Sequence, residues 1–301
     1  MANTRELRRR IRSVKNTAQI TKAMQMVAAT KMRRAQNQAV NGRPYSFNLS
    51  SALERLLPLV NIESHPLLKS SGTGPQGVIL LSTDKSLCGA LNTNLFRLLS
   101  ASGLVSSDTV FYTVGKKGRN FVARSGRNLL ADFENLDHVT FRQAVQLSKL
   151  AMDAFKAGEV REVSLVYPGF VSTLRQEPVK VKLLPIALES VIESVTQARQ
   201  SAESKVSAGS HPQVSQKEFL FEPSPEKLLE YLLVHNLQMK IYQSLLETKA
   251  SEHSARMIAM QNATDNALEL VSDLNLAYNQ TRQDAITKEL LEITTAAMAM
   301  Q

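Results

Sequence analysis

The sequence predicts an α/β protein in which a globular α/β domain is flanked by two long helices that pair as an antiparallel coiled coil. Three observations carry this. Residues 2–41 and 226–301 contain neither glycine nor proline, whereas eleven of the twelve glycines lie between residues 72 and 223. The positive charge is concentrated at one end: residues 1–43 hold eleven Lys/Arg and a single acid, Glu6, so they carry +10 of a chain total of +9, and the remainder sums to −1. Within the middle segment, short β-rich runs alternate with helical ones, the pattern of a mostly parallel sheet with helical crossovers.

The first helix is read from its apolar spacing. Leu7, Ile11, Val14, Ala18, Thr21, Ala28, Met32 and Ala35 recur at three- and four-residue steps, with Gln25 as the one strongly polar interruption, which is the seam of a coiled coil. Forty such residues make about 60 Å of helix, too long to pack across one small domain. The expected rod segment is residues 1–57. Arg-rich, acid-poor amino termini also describe mitochondrial presequences. The unbroken helical pattern favours a structural helix, and no apolar run follows that would make a secretory signal.

In the middle domain, expected over residues 72–223, Gly77–Asp84 reads as a buried strand and Ala90–Ala101 as a helix. Thr109–Val114 reads as a second strand, followed by a basic turn, Gly115–Arg119. Phe141–Ala157 is a helix, Glu162–Tyr167 and Val179–Ile186 are strands, residues 199–217 a loop and Glu218–Glu222 a last strand. From Glu226 the chain can form about 115 Å of helix. There Ser251, Ala255, Ala259, Ala263 and Ala267 repeat every fourth residue, a ridge of small side chains expected to face the first helix.

Catalytic signatures are missing. Neither Gly72–Gly77 nor Gly115–Gly118 completes the glycine-rich loop whose amides cradle phosphate. His65, His138, His211, His235 and His253 are scattered, and the single cysteine, Cys88, makes neither a disulfide framework nor a thiolate metal site. No run reaches the roughly 18 apolar residues that cross a bilayer. Lys116, Lys117 and Arg119 invite an anion, but a solvated turn explains them better. A basic coiled coil also allows a nucleic-acid binder with an α/β regulatory domain. Against that, Lys22, Lys31 and Arg33 are interleaved with Met24, Met26, Val27 and Met32 rather than set in a separate block. Such mixed faces suit an enclosing protein surface, and methionine adapts where contacts slide.

Four blocks carry a resemblance. Ile20–Gln36 (ITKAMQMVAATKMRRAQ), Asp84–Asn92 (DKSLCGALN), Ser251–Ala267 (SEHSARMIAMQNATDNA) and Arg282–Ile293 (RQDAITKELLEI) together resemble the ATP synthase gamma subunit family. The resemblance implies a Rossmann-like globular domain, no cofactor and no catalytic residues of its own. The implied role is that of a central-stalk rotor coupling the ion-driven membrane c ring to conformational cycling of the beta catalytic sites. The implied partners are the alpha and beta subunits, the epsilon subunit and the c ring, with no nucleic acid. The implied location is peripheral, on the cytoplasmic side of a bacterial plasma membrane. By the same resemblance Lys22, Met24, Met26, Lys31 and Arg33 match the face approaching an acidic segment of the beta subunits, and Arg256 lies near the same collar. Arg282, Gln283, Thr287, Glu289 and Glu292 match positions reaching polar beta-subunit loops, and Ala296–Gln301 an apolar sleeve. Ser86 stands where the family usually has glycine, and a left-handed backbone there would cost about 1 kcal/mol.

Overall fold

The computed structural model describes residues 4–56, 60, 66–69, 74–106, 108–186, 222 and 224–299. Its elements run α1 (Thr4–Leu56), β1 (Gln76–Leu81), α2 (Leu91–Ala101), β2 (Thr109–Val114), α3 (Lys116–Arg124), β3 (Asn128–Phe133), α4 (Phe141–Lys156), β4 (Glu162–Phe170), β5 (Gln176–Leu184) and α5 (Pro225–Ala299). The chain divides into two units, residues 31–253 and residues 1–30 with 254–301.

In the first unit five strands form one sheet in the order β3-β2-β1-β4-β5. The pairs β1–β2, β1–β4 and β2–β3 are parallel and β4–β5 is antiparallel. Alternate side chains of a strand face opposite sides of its sheet, and β1 shows the consequence. Val78 and Leu80 enter a cluster with Leu95, Leu99, Phe111 and Val122. Ile79 and Leu81 enter a larger one with Leu147 of α4, Leu53 of α1 and Leu233, Leu237 and Ile241 of α5. The sheet is therefore covered on both faces, as parallel strands require.

Two details depart from the sequence reading, the helix α3 and the edge strand β3, while the first helix keeps its expected length. The first helix runs through Gly42 and Pro44 to Leu56. Proline withholds the N–H that Val40 would accept, but packing of Leu49, Leu53 and Leu56, all buried, carries the helix onward. Residues 115–119 are no turn. Gly115, at φ 100°, begins the helix α3, and a Cβ on it would lie 2.4 Å from the Ser82 carbonyl oxygen. Close approach to β1, not chain reversal, requires that glycine. The edge strand β3 alternates exposed and half-buried residues and lacks the β-branched run that marks strands. The strand read at 218–222 falls, but for its last residue, outside the described residues, as does the loop at 199–217.

The second unit is helical. Along its part of α1, Leu7, Ala18, Thr21 and Ala28 are buried, with Ile11, Val14, Met24 and Gln25 half-buried between them. Along its part of α5 the covered positions are Met260, Thr264 and Ala267, then Val271, Leu274, Tyr278 and Thr281, half-buried. Mixed three- and four-residue steps keep that stripe straight. The four-residue ridge does not stay on it: Ala255, Ala259 and Ala263 are only half-buried. A strict step of four turns about 40° past a full circle each time, so the ridge drifts to the flank of the seam.

A candidate partner-contact surface

In the helical unit the seam is polar as well as apolar. Thr21 and Thr264 share a hydroxyl–hydroxyl hydrogen bond of 2.7 Å, and each sits among small neighbours that let two backbones approach. Further along, Arg8 donates to the Tyr278 hydroxyl at 2.7 Å and lies 5.6 Å from that ring's centre, a cation–π contact that also fixes register.

The residues matched to partner contacts divide by exposure. Lys22, Met26 and Arg33 are exposed and Met24 and Lys31 half-buried. Arg282, Gln283, Thr287, Glu289 and Glu292 all lie in the last stretch of α5, where every residue from 282 to 299 is exposed. Glu292 faces Lys288 at 4.0 Å, a surface pair with side chains about 70% exposed that contributes little to stability. Arg256 is the exception. It is 8% exposed and already engaged within the chain, so burial leaves it almost no surface for a partner.

Lys31 belongs to a second cluster, which the sequence reading did not assemble. Its Nζ donates to Asp137 Oδ2 at 3.2 Å, and this contact holds the Asp137 carboxyl below its usual range, with Lys31, Lys85 and Lys249 adding positive potential. Two residues earlier, the Asn135 carbonyl accepts from Lys249 Nζ at 3.2 Å while the Asn135 amide donates to the Ser82 carbonyl at 2.7 Å. Lys249 and Glu252 are buried and lie 3.5 Å apart. The segment 135–137 thus ties α1, α5 and the carboxyl end of β1 together. A buried lysine in a charged helix gives no periodic signal; only its three-residue spacing from Glu252 hinted at the pair.

The carboxyl ends of the parallel strands are where open α/β sheets hold ligands, so the first turn of α3 is the place to look for anion chemistry. It is already occupied by the chain itself. Lys116 N–H donates to Asp84 Oδ1 at 2.8 Å, Gly118 N–H to Ser82 Oγ at 2.8 Å, and Lys117 N–H to the Thr83 carbonyl at 3.0 Å. Arg119 is bound to Asp132 at 3.2 Å. Asp84 supplies the negative charge that a helix amino terminus favours, leaving no free amides for a phosphate. The rest of the Asp84–Asn92 block folds back on itself, with Asn92 Nδ2 donating to Thr83 Oγ1 at 2.8 Å. The left-handed residues of that turn are Leu87, at φ 65°, and Gly89, at φ 58°, and not Ser86. No group of His, Cys, Asp and Glu among the described residues has the geometry to hold a metal, and no helix among them is long and apolar enough to cross a membrane.

Comparison with known proteins agrees on one family. The family model described as ATP synthase matches residues 3–300. The ATP synthase gamma chain of Methylacidiphilum infernorum is 45% identical over 305 residues, covering all of both chains. That of Opitutus terrae is 42% identical over 300 residues, covering 99% of each. Among solved structures, a chain of the Euglena gracilis mitochondrial ATP synthase matches with a TM-score of 0.65 at 20% identity, covering 99% of this chain and 94% of that one. At that identity the match bears on fold alone, and it agrees with the sheet and long helices described above. These relatives displace the nucleic-acid alternative. Matched from end to end by gamma chains at this identity, the chain belongs to the ATP synthase gamma chain family.

Proposed function

We propose that the chain is the non-catalytic rotor of an ATP synthase, turning within a ring of alpha and beta subunits and driven by a membrane c ring. The observation that supports this most is the end-to-end 45% identity to a gamma chain. A rotor transmits work only if it contacts the states of its partner with different free energies. Lys22 and Met26 of the helical unit, and Lys31 and Arg33 of the sheet-containing unit, supply cationic and adaptable apolar contacts. Arg282, Gln283, Thr287, Glu289 and Glu292 supply exposed polar contacts near the end of α5. Met24 adds a half-buried edge, and Arg256, at 8% exposed, adds the least surface of the set. Ala296–Gln301 enters an apolar sleeve. The epsilon subunit is a further partner, and the site of action is the cytoplasmic face of a bacterial plasma membrane, where the complex carries ions across.

The test is co-purification. Tagged chain expressed in its own cell should bring down a nucleotide-hydrolysing ring together with membrane-ring subunits. Recovery of the chain alone, or with nucleic acid whose retention falls steeply with salt, defeats the proposal.

A further inference from the structure

A groove of about 520 Å³ lies in the sheet-containing unit, between the carboxyl-terminal part of α1, the first half of α5 and strands β4 and β5. Its floor is apolar: Leu49, Leu165, Leu183 and Met239 are buried, and Val181 is half-buried beside them. Five polar residues of α5 also line it, Asn236, Lys240, Gln243, Ser244 and Glu247, and two of them lack what they need. Lys240 lines the groove half-buried, and its ammonium makes no hydrogen bond or ion pair among the described residues. Burial alone pushes its ammonium below the usual lysine range, with no carboxylate offsetting it. Gln243, three residues on and so on the same face of the helix, has its side-chain carbonyl oxygen buried without a donor. Its amide is spent on the Ala39 carbonyl at 3.5 Å. The carboxylate that lines the groove, Glu247, interacts with Tyr167, whose phenol pKa is raised by burial and then by that negative charge.

A half-buried cation without a counter-ion and a buried acceptor without a donor are each unfavourable alone. The complement of this groove is therefore a carboxylate, an N–H within a few ångströms of it, and apolar groups on either side. A fatty acid brings the first and third but no N–H; a polypeptide brings all three. We propose that the groove seats an acidic segment of another subunit of the complex, with its carboxylate on Lys240 Nζ, a backbone N–H on Gln243 Oε1 and apolar side chains over Leu49, Val181 and Met239. The inference rests on the reading that this chain works inside a multi-subunit assembly.

The experiment uses the purified assembly. A zero-length carbodiimide cross-linker joins an amine to a carboxylate only where the two already touch, and mass spectrometry then locates the bond. The expected product joins Lys240 to an Asp or Glu of a different subunit. Replacing Lys240 by Met should leave the free chain at least as stable as the parent, while the variant dissociates from the assembly about tenfold faster, the usual size for losing a charge-assisted contact. Arginine at 240 should restore most of that loss. If the assembly forms and hydrolyses ATP but Lys240 is joined to this chain, to a second copy of it, or to nothing, the groove is not the seat and the rotor reading stands untouched. If no assembly is recovered, the rotor reading fails first.

Discussion

The two units of this chain bury different kinds of residue. In the sheet unit the covered side chains are large and aliphatic: Ile79, Leu80, Leu81, Leu95, Leu147 and Leu165 are all within 1% of complete burial. In the helical unit, Leu7 and Met260 apart, the covered seam residues are mostly small or hydroxylated: Ala18, Thr21, Ala28, Thr264 and Ala267, each between 2% and 9% exposed. Burial of a full aliphatic side chain stabilises by about 1.5–3 kcal/mol, and an alanine methyl by well under half of that. The sheet unit therefore holds itself together, whereas the helix pair gains closeness and register at the expense of cohesion. What the pair does not bury inside the chain it leaves available to others, and residues 282–299 are the extreme case.

That contrast can be broken most forcefully in the sheet unit. Leu165→Ala should cost about 2–5 kcal/mol, and Gly115→Ala a similar amount, since its Cβ meets the Ser82 carbonyl at 2.4 Å and its φ is 100°. Urea titration of the isolated chain measures both; a change below 1 kcal/mol for either would show the sheet core to be as forgiving as the helix pair. Next in size is overpacking of the seam. Ala28→Leu, at a position 2% exposed, should cost about 1–3 kcal/mol, and Ala259→Leu, half-buried on the flank, clearly less. Equal losses from the two would restore the four-residue ridge to the interface.

Smaller again is the threonine pair. Thr21→Val and Thr264→Val should each cost about 1 kcal/mol, with the double variant less than additive because the hydroxyls face each other. A double-mutant cycle giving zero coupling would remove that hydrogen bond from the account. The smallest effect on the free chain belongs to Lys31→Met. Its pair with Asp137 has side chains 42% and 58% exposed, so screening leaves it within about 1 kcal/mol. Because the Asp137 pKa is lowered on folding, that contribution is present above the unfolded carboxyl pKa and is lost as pH falls through the folded one. The parent and Lys31→Met stability curves should therefore converge in acid and separate at neutral pH; parallel curves would contradict the pairing. Lys240 has the opposite position on the pH scale. Its lowered pKa means the unfolded chain binds the proton more tightly, so this residue makes stability rise as pH climbs toward the free lysine value. Lys240→Met should flatten that rise.

Much of the architecture was readable because its signals are periodic. Leu7, Ala18, Thr21, Ala28, Met32 and Ala35 fall at helical steps and are all buried, and the strand Thr109–Val114 has the bounds its β-rich run suggests. The failures share a cause. Gly115 and Gly118 look like punctuation, but they are small because Ser82, the residue that follows β1, presses on them, and no local pattern announces a tertiary neighbour. Strand β3 is short, on an edge and without β-branched residues. Of the ridge of small residues Ser251 and Ala267 are buried and Ala255, Ala259 and Ala263 half-buried, since a step of four is not the period of a straight stripe. For the contact surface, resemblance selected residues by position; exposure then separated Arg256 from the rest. The junction at Asn135 and the orphaned Lys240 were beyond sequence reasoning, because each depends on which groups meet, or fail to meet, in three dimensions.

The amides at the start of α3 carry a consequence for kinetics. A protein that works beside a large pool of nucleotide and phosphate competes with every enzyme for those anions if its fold offers them a seat. Asp84, Ser82 and Thr83 fill that seat covalently tethered, at an effective concentration no diffusing phosphate matches. The first turn of α3 thereby presents its amides to the chain's own acceptors and not to a diffusing anion. Its orientation on the sheet is set by hydrogen bonds within the chain, from Lys116 N–H to Asp84 and from Gly118 N–H to Ser82, rather than by a bound anion.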